Sequence, residues 1–376
     1  MFEPVERHPE DIVHAWSRAR TLHTIVTKGG ALASRADFRT QMSRSPELSK
    51  LKPALRRILS TLEQRLEGSS SRALLRLGSS PIFAEDRGCA GLLQQLVLDS
   101  RQPDEVVAEL SELFGREGFR GLEREARYFA IRAACAGVGA RPTGQALTFL
   151  LSEPAFLGSE ASLKAILMEL LAGPTVGATS APERTEVLMS AWGDKMDALQ
   201  TLRASEAWRG ASSPALRSEQ LRDFVEAPTE HVTFLDATPH NGHALVILGN
   251  PSDPRALSYG RRWVRVRGQS GVVARLSMPD RTLMSNWSRP MSDAQVRYFG
   301  RSLRVSRRQQ LQLVNWIEKT YVFAEVSKGR GLGASRIGGE AADLVSSAYD
   351  ALRAFGNHCP DDLSVGAYVA GRPVDL

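Results

Sequence analysis

Three short runs decide how this chain is read: His231-Val232-Thr233-Phe234-Leu235, then Gly242-His243-Ala244-Leu245-Val246-Ile247-Leu248-Gly249, then Arg262-Trp263-Val264-Arg265-Val266-Arg267. The middle run is wholly apolar between Gly242-His243 and Gly249-Asn250-Pro251, which predicts a buried central strand. The third alternates, so Val264 and Val266 belong to one side and Trp263, Arg265 and Arg267 to the other. Gly268-Gln269-Ser270-Gly271 then predicts a hairpin turn into another strand, Val272–Leu276.

Around this strand-rich core the pattern is helical. Ile12, Val13, Trp16, Ala19 and Leu22 follow a 3.6 period after Pro9. Leu55, Ile58, Leu59, Leu62 and Leu66 do the same after Pro53, while 29–50 is Ser/Arg-rich and reads as partly loose. Helices are expected at 90–100, 104–114, 122–136, 144–151, 162–171, 182–191 and 194–203, with Gly or Pro at the breaks, and later at 292–303, 307–326 and 339–355. The fold class expected is therefore α+β: a mostly helical N-terminal half, then a small mainly antiparallel sheet packed with helices. The expected divisions are a helical, partly flexible region 1–80, a helical domain 81–207, and an α+β domain 208–376.

The 376 residues hold 48 Lys+Arg against 42 Asp+Glu, a formal charge of +6. With 42% hydrophobic and 24% charged residues, wholesale disorder, collagen and coiled-coil rods are excluded. No apolar run is long enough for a membrane span, and Met1-Phe2-Glu3-Pro4-Val5-Glu6 lacks the basic and apolar regions of a secretory signal. A cytoplasmic location is expected, or delivery into a host cell without a cleaved signal. Cys89, Cys135 and Cys359 are too few and scattered for a disulfide framework or a zinc site. His240 and His243 lack a third ligand, so no metal is expected.

The charge is concentrated. Arg255 to Arg308 contains thirteen Arg, no Lys and two acids, Asp280 and Asp293, a surplus of eleven positive charges. The remainder of the chain is therefore negative by five. Trp263, Arg265 and Arg267, with Arg261, Arg262 and Arg275 nearby, suit phosphates, stacked bases or an acidic protein partner. In the helix expected at 292–303 and just beyond, Arg297, Arg301, Arg304 and Arg308 fall at i+3 or i+4 and extend that surface. The plain alternative is an intramolecular dock of this basic segment on the acidic helical half. The basic loop Lys328-Gly329-Arg330-Gly331-Leu332-Gly333-Ala334-Ser335-Arg336 lacks the endings of phosphate-loop and dinucleotide motifs, and reads as a surface loop.

His243, fixed before a strand, is a candidate general base. Cys89, in Asp86-Arg87-Gly88-Cys89-Ala90-Gly91, opens an expected helix, a setting that lowers a thiol pKa. The run Gly242–Gly249 with the strand after it resembles the His strand and next strand of papain-like cysteine hydrolases, a group that includes proteases and deamidases used as bacterial effectors. The resemblance covers about 30 residues. It implies amide cleavage or deamidation of a protein substrate, with Cys89 as nucleophile, His243 as base and Gln269 as the orienting residue, and no cofactor. The Cys89-to-His243 separation is 154 residues, against about 130–150 in papain-like chains. Where that family carries an Asn or Asp this chain has Arg265-Val266-Arg267-Gly268, with Gln269 or Asp253 nearby. A second registration puts the nucleophile at Gly210-Ala211-Ser212, where no Cys stands, and implies an inactive relative. Against the catalytic reading stands a structural one, a small buried Cys on an apolar helix and a His capping a strand. The competing class is a non-enzymatic binding module that uses Trp263, Arg265, Arg267, Arg301 and Arg304 to hold nucleic acid or an acidic protein.

Overall fold

The computed structural model describes residues 37–66, 70–175, 182–235, 245–249, 253–267, 273–283, 300–320, 344–356, 367–369 and 372–374. The expected helix near 9–22, the loop 328–336 and the turn 268–271 lie outside these residues. The fold is α+β, with helices throughout the N-terminal half and an antiparallel sheet after residue 229. It divides into two compact units, Met1–Gly139 and Ala140–Leu376, so helices between 141 and 226 belong with the sheet.

Proline punctuates the helices. Pro46, Pro53, Pro81, Pro103, Pro142, Pro154 and Pro214 each occupy the first or second helical position. There the missing N–H costs nothing and the fixed φ favours the helix. In the first unit, Pro53–Arg65 packs on Arg87–Asp99, and Pro103–Gly115 packs on both Ser71–Gly78 and Arg124–Gly139. Leu59, Leu62, Leu74, Phe83, Leu93, Leu110 and Phe119 are fully buried in this unit. Ala126, Ala130, Ala133 and Ala134 make a buried small-residue face on Arg124–Gly139. Within the Ser/Arg-rich stretch, residues 37–44 are helical and Phe38 is buried, while 29–36 lie outside the described residues. Burial of Phe38 and Leu48 supplies the apolar anchors that the polar average conceals.

The second unit holds five antiparallel strands in the order β4-β3-β2-β1-β5. They are β1 (Glu230–Leu235), β2 (Leu245–Leu248), β3 (Leu257–Arg267), β4 (Val273–Leu283) and β5 (Gly300–Val305). A separate two-stranded pair follows, β6 (Ala367–Val369) with β7 (Arg372–Val374). The apolar run Leu245–Leu248 is central and buried throughout, as its composition predicts. Helices Arg307–Thr320 and Leu344–Ala354 pack on β1, and the latter also on β2. Phe234 meets Tyr349 edge to face, with ring centroids 5.4 Å apart, and Leu313, Ile317 and Leu352 close the layer. Helix Arg307–Thr320 also carries Asn315, whose Nδ2 donates to Glu169 Oε1 at 3.0 Å while its Oδ1 accepts from the Thr175 N–H at 2.7 Å.

The end of the helix expected at 292–303 is instead a strand, and 292–299 lie outside the described residues. Residues 300–305 form β5, paired with β1 from Glu230↔Val305 to Leu235↔Gly300. The Arg spacing that mimicked a helical face lost to this pairing, which buries Val305 and joins Thr233 Oγ1 to Ser302 Oγ at 3.2 Å. Arg301 and Arg304, three apart on a strand, therefore do not share a face. The following helix begins as expected at Arg307.

A buried polar network ties sheet to helix. Tyr259 on β3 and Arg281 on β4 are directly paired in register. The Tyr259 hydroxyl donates to Glu318 Oε1 at 2.7 Å and Arg281 donates to the same oxygen at 2.5 Å, with both side chains of the ion pair fully buried. Burial, and then the Glu318 anion, hold the Tyr259 hydroxyl well above the usual tyrosine range, so it stays a donor. A buried ion pair tolerates loss of one partner poorly. Replacing Glu318 by Ala is expected to cost about 3–5 kcal/mol of unfolding free energy, and Tyr259→Phe about 2 kcal/mol. Urea denaturation followed by circular dichroism checks both; a loss below about 1 kcal/mol for Glu318→Ala would mean that the network does not hold the sheet to the helix.

Candidate functional site

Two places carry the chemistry that the sequence singled out, one in each unit. In the first, helix Arg87–Asp99 begins with Asp86 as its N-cap. Asp86 Oδ1 accepts from the N–H groups of Gly88 at 3.0 Å and Cys89 at 3.1 Å, satisfying donors that a helix start leaves orphaned. It also accepts from the Tyr128 hydroxyl at 3.2 Å, and Arg124 closes the cluster, 2.9 Å from Tyr128 Oη and 3.5 Å from Asp86. Gly88 is required here by space: a Cβ would lie 2.0 Å from Tyr128 Oη.

Cys89 does sit at a helix N-terminus, yet its thiol is not activated. The residue is 0% exposed. Burial pushes the thiol up to about 12, with the Asp86 charge and the hydrogen bond to Asp86 acting the same way; Arg127 and Arg124 offset only part of this. The expected lowering by the helix terminus is thus reversed, first by burial of the thiol and then by the anion already at that terminus. Burial works to raise the Asp86 carboxyl as well. The hydrogen bonds from Cys89 and Tyr128, together with Arg124, outweigh it and leave Asp86 below its usual value. Cys135 is half-buried in helix Arg124–Gly139, and burial raises its thiol to about 12 as well. His243 and Gln269, the other members of the expected triad, lie outside the described residues, as do His240 and Cys359. Among the described residues no group of three His, Cys, Asp or Glu side chains could hold a metal ion, and no helix is long and apolar enough to cross a membrane.

The second place is the β3–β4 pair. Strand β2 pairs with β3 only from Leu257 to Gly260. Beyond that, among the described residues, Arg261–Arg267 pairs with β4 alone, from Arg261↔Pro279 to Arg267↔Val273. Among the described residues, this part of the pair is a two-stranded ribbon. The sequence from 261 to 279 contains Arg261, Arg262, Arg265, Arg267 and Arg275 and no acid. In register, Arg265 stands directly opposite Arg275, with Trp263 opposite Ser277 and Arg267 opposite Val273. Trp263, Arg265 and Arg267 occupy alternate positions of β3, and the register adds Arg275 to their row, which sequence alone could only place nearby. Like charges directly opposite each other destabilise a sheet unless something anionic accompanies them.

The other basic residues of the segment are used differently. Arg255 pairs with Asp194 at 3.5 Å, Arg307 with Glu230 at 3.1 Å, Arg308 with Glu226 at 3.0 Å, and Arg281 with Glu318. Arg307 also donates to the Phe224 carbonyl at 2.7 Å and lies over the Phe224 ring, and Lys195 joins it on Glu230. Arg304 is exposed on β5 opposite His231. The expected binding residues therefore divide: Trp263, Arg265 and Arg267 belong to the ribbon, Arg301 and Arg304 to the opposite edge strand. Sequence reasoning missed Tyr259, Glu318 and Glu230, because polar residues far apart in sequence give no local signal of meeting.

The thiol form of Cys89 contributes stability in full below the pKa of an exposed cysteine, about 8.5, and loses it as pH rises toward about 12. Iodoacetamide labelling of the native chain at pH 8, mapped to each cysteine by mass spectrometry, is expected to leave Cys89 essentially unmodified. Asp86→Asn removes the anion beside the thiol; Cys89 should then label faster, with about 0.5–2 kcal/mol lost from the helix cap. Rapid labelling of unmutated Cys89 at neutral pH would restore it as a nucleophile. Compared with known proteins, the chain matches no family model, no curated protein and no solved structure.

Proposed function

We propose that this chain is a binding protein that holds a polyanion on the basic ribbon of β3 and β4, and that Cys89 serves the helical core rather than catalysis. The observation that carries the proposal is the register: Arg265 faces Arg275 between strands that contain no acid from 261 to 279. A protein that kept these residues only for solubility would gain from pairing the two positions with opposite charges. Instead the row concentrates one sign, and Arg forks onto phosphate and carboxylate oxygens with a geometry that Lys lacks. The environment of Cys89 supports the second half of the proposal: its thiol is buried and raised to about 12, against what a nucleophile needs.

The four ion pairs at Arg255, Arg281, Arg307 and Arg308 bear on the reading of the segment as an internal dock. They account for its two ends within the second unit. The ribbon between them is the part whose charge the proposal assigns to a partner.

On immobilised heparin the chain is expected to be retained at low salt and to elute as salt rises. Arg265→Ala/Arg267→Ala/Arg275→Ala should elute at clearly lower salt. Its stability should hold, or rise by up to about 1 kcal/mol, since a like-charge pair has been removed. Elution unchanged by the three substitutions would reject the ribbon as the contact element.

A further inference from the structure

The geometry points to duplex nucleic acid as the polyanion, with the β3–β4 ribbon lying in the major groove. This rests on the polyanion reading above and goes on to name the partner. Paired antiparallel strands are about 4.8 Å apart, and a major groove about 12 Å wide admits a two-stranded ribbon with its side chains. The seven paired residues Arg261–Arg267 extend the ribbon about 24 Å at 3.4 Å each. That is long enough to cross the groove and reach phosphates on both sides of it.

The composition of the ribbon separates duplex from the other polyanions. Single-strand binders rely on several aromatic platforms on which successive bases stack. Between 261 and 279 the only aromatic residue is Trp263. An acidic protein surface is met by mixed charges that fix register and exclude wrong partners, whereas this stretch carries Arg and no acid at all. Regularly spaced phosphates on either side of a groove are the surface that five like charges on a narrow element match. Arg in a groove adds a second capacity, the bidentate contact to guanine O6 and N7. Pro279 on β4, opposite Arg261, interrupts the outer edge near the base of the ribbon, where another strand could otherwise add.

The root of the ribbon is well placed to bear load. Tyr259 and Arg281 are paired two positions before Arg261 and Pro279, and both are held by the buried Glu318. The element offered to the groove thus starts from a fixed base rather than from a loop, which limits the ordering cost of binding.

Fluorescence anisotropy of the full chain with a labelled 20-base-pair DNA, the same single strand, and labelled poly-glutamate tests the proposal. Duplex is expected to bind tightest. Five neutralised phosphates give a slope of about −4.5 in log K against log salt, or a loss of about 500-fold between 50 and 200 mM salt. Arg265→Ala and Arg275→Ala should each flatten the slope by about 0.9. Methyl green, which fills the major groove, should compete, and netropsin, which fills the minor groove, should not. Arg265→Lys is the control that keeps charge and fold; it should keep the salt slope while weakening any preference among duplex sequences. Single strand binding as tightly as duplex, or competition by netropsin alone, overturns the groove assignment and leaves the polyanion reading standing. Poly-glutamate bound in preference to duplex overturns it in favour of an acidic protein partner. Absence of binding to all three overturns both.

Discussion

A single buried carboxylate sets the geometry of the second unit. Glu318 reaches out of helix Arg307–Thr320 and accepts from one side chain on each strand of the β3–β4 pair, Tyr259 and Arg281. Neither donor could be buried so deeply alone, because an unpaired charge in the interior is costly. Together they lock the register of two strands and fix one helix across them. The β3–β4 pairing beyond Gly260, from Arg261↔Pro279 to Arg267↔Val273, continues directly from that lock. The same helix contributes Leu313 and Ile317 to the core and Asn315 to the Glu169–Thr175 contacts, so it links the sheet to the helices that precede it.

The parts of this fold that the sequence made legible are those with a local physical signature. Leu245–Leu248 was readable because only a strand buried on both sides tolerates an unbroken apolar run. The helix starts were readable because proline at the first turn is favoured by its fixed φ, as at Pro53 and Pro103. Residues 300–305 were not. Their Arg spacing fits a helix as well as a strand, and what decided the matter was β1, seventy residues away, whose register buries Val305. The order in 37–44 was hidden for a similar reason, since Phe38 alone anchors a polar stretch.

The candidate site was legible in the same partial way. The helix terminus at Cys89 was found from Asp86 and Gly88, but the sign of its effect on the thiol was not. A capping carboxylate improves the helix and at the same moment disfavours the thiolate. The residue that made the helix start recognisable adds to burial in keeping the cysteine a thiol. Tyr128 and Arg124 complete the cluster from 40 residues away and add a steric reason for Gly88. A short motif cannot report such neighbours, which is why a Cys at a helix start is weak grounds for a nucleophile.

The charge of the basic segment resolves into two populations with different physics. Arg255, Arg281, Arg307 and Arg308 each meet an acid, and of these the Arg281 pair is fully withdrawn from water while the Arg308 pair is exposed. The exposed pair contributes little to stability, and the buried one specifies geometry. The five Arg of the ribbon have no acid within their own stretch of sequence, and two of them are directly opposed in register. Like charges directly opposite each other on a ladder are destabilising, so this part of the pairing has a cost that other contacts must offset. Such a pairing needs a firm anchor. The anchor is Glu318, which draws the two strands together on the nearer side of the same hairpin with the opposite charge. The buried acid and the opposed Arg pair thus act on the same two strands in opposite senses: Glu318 holds the register, and Arg265 opposite Arg275 sets a cost that this hold must exceed.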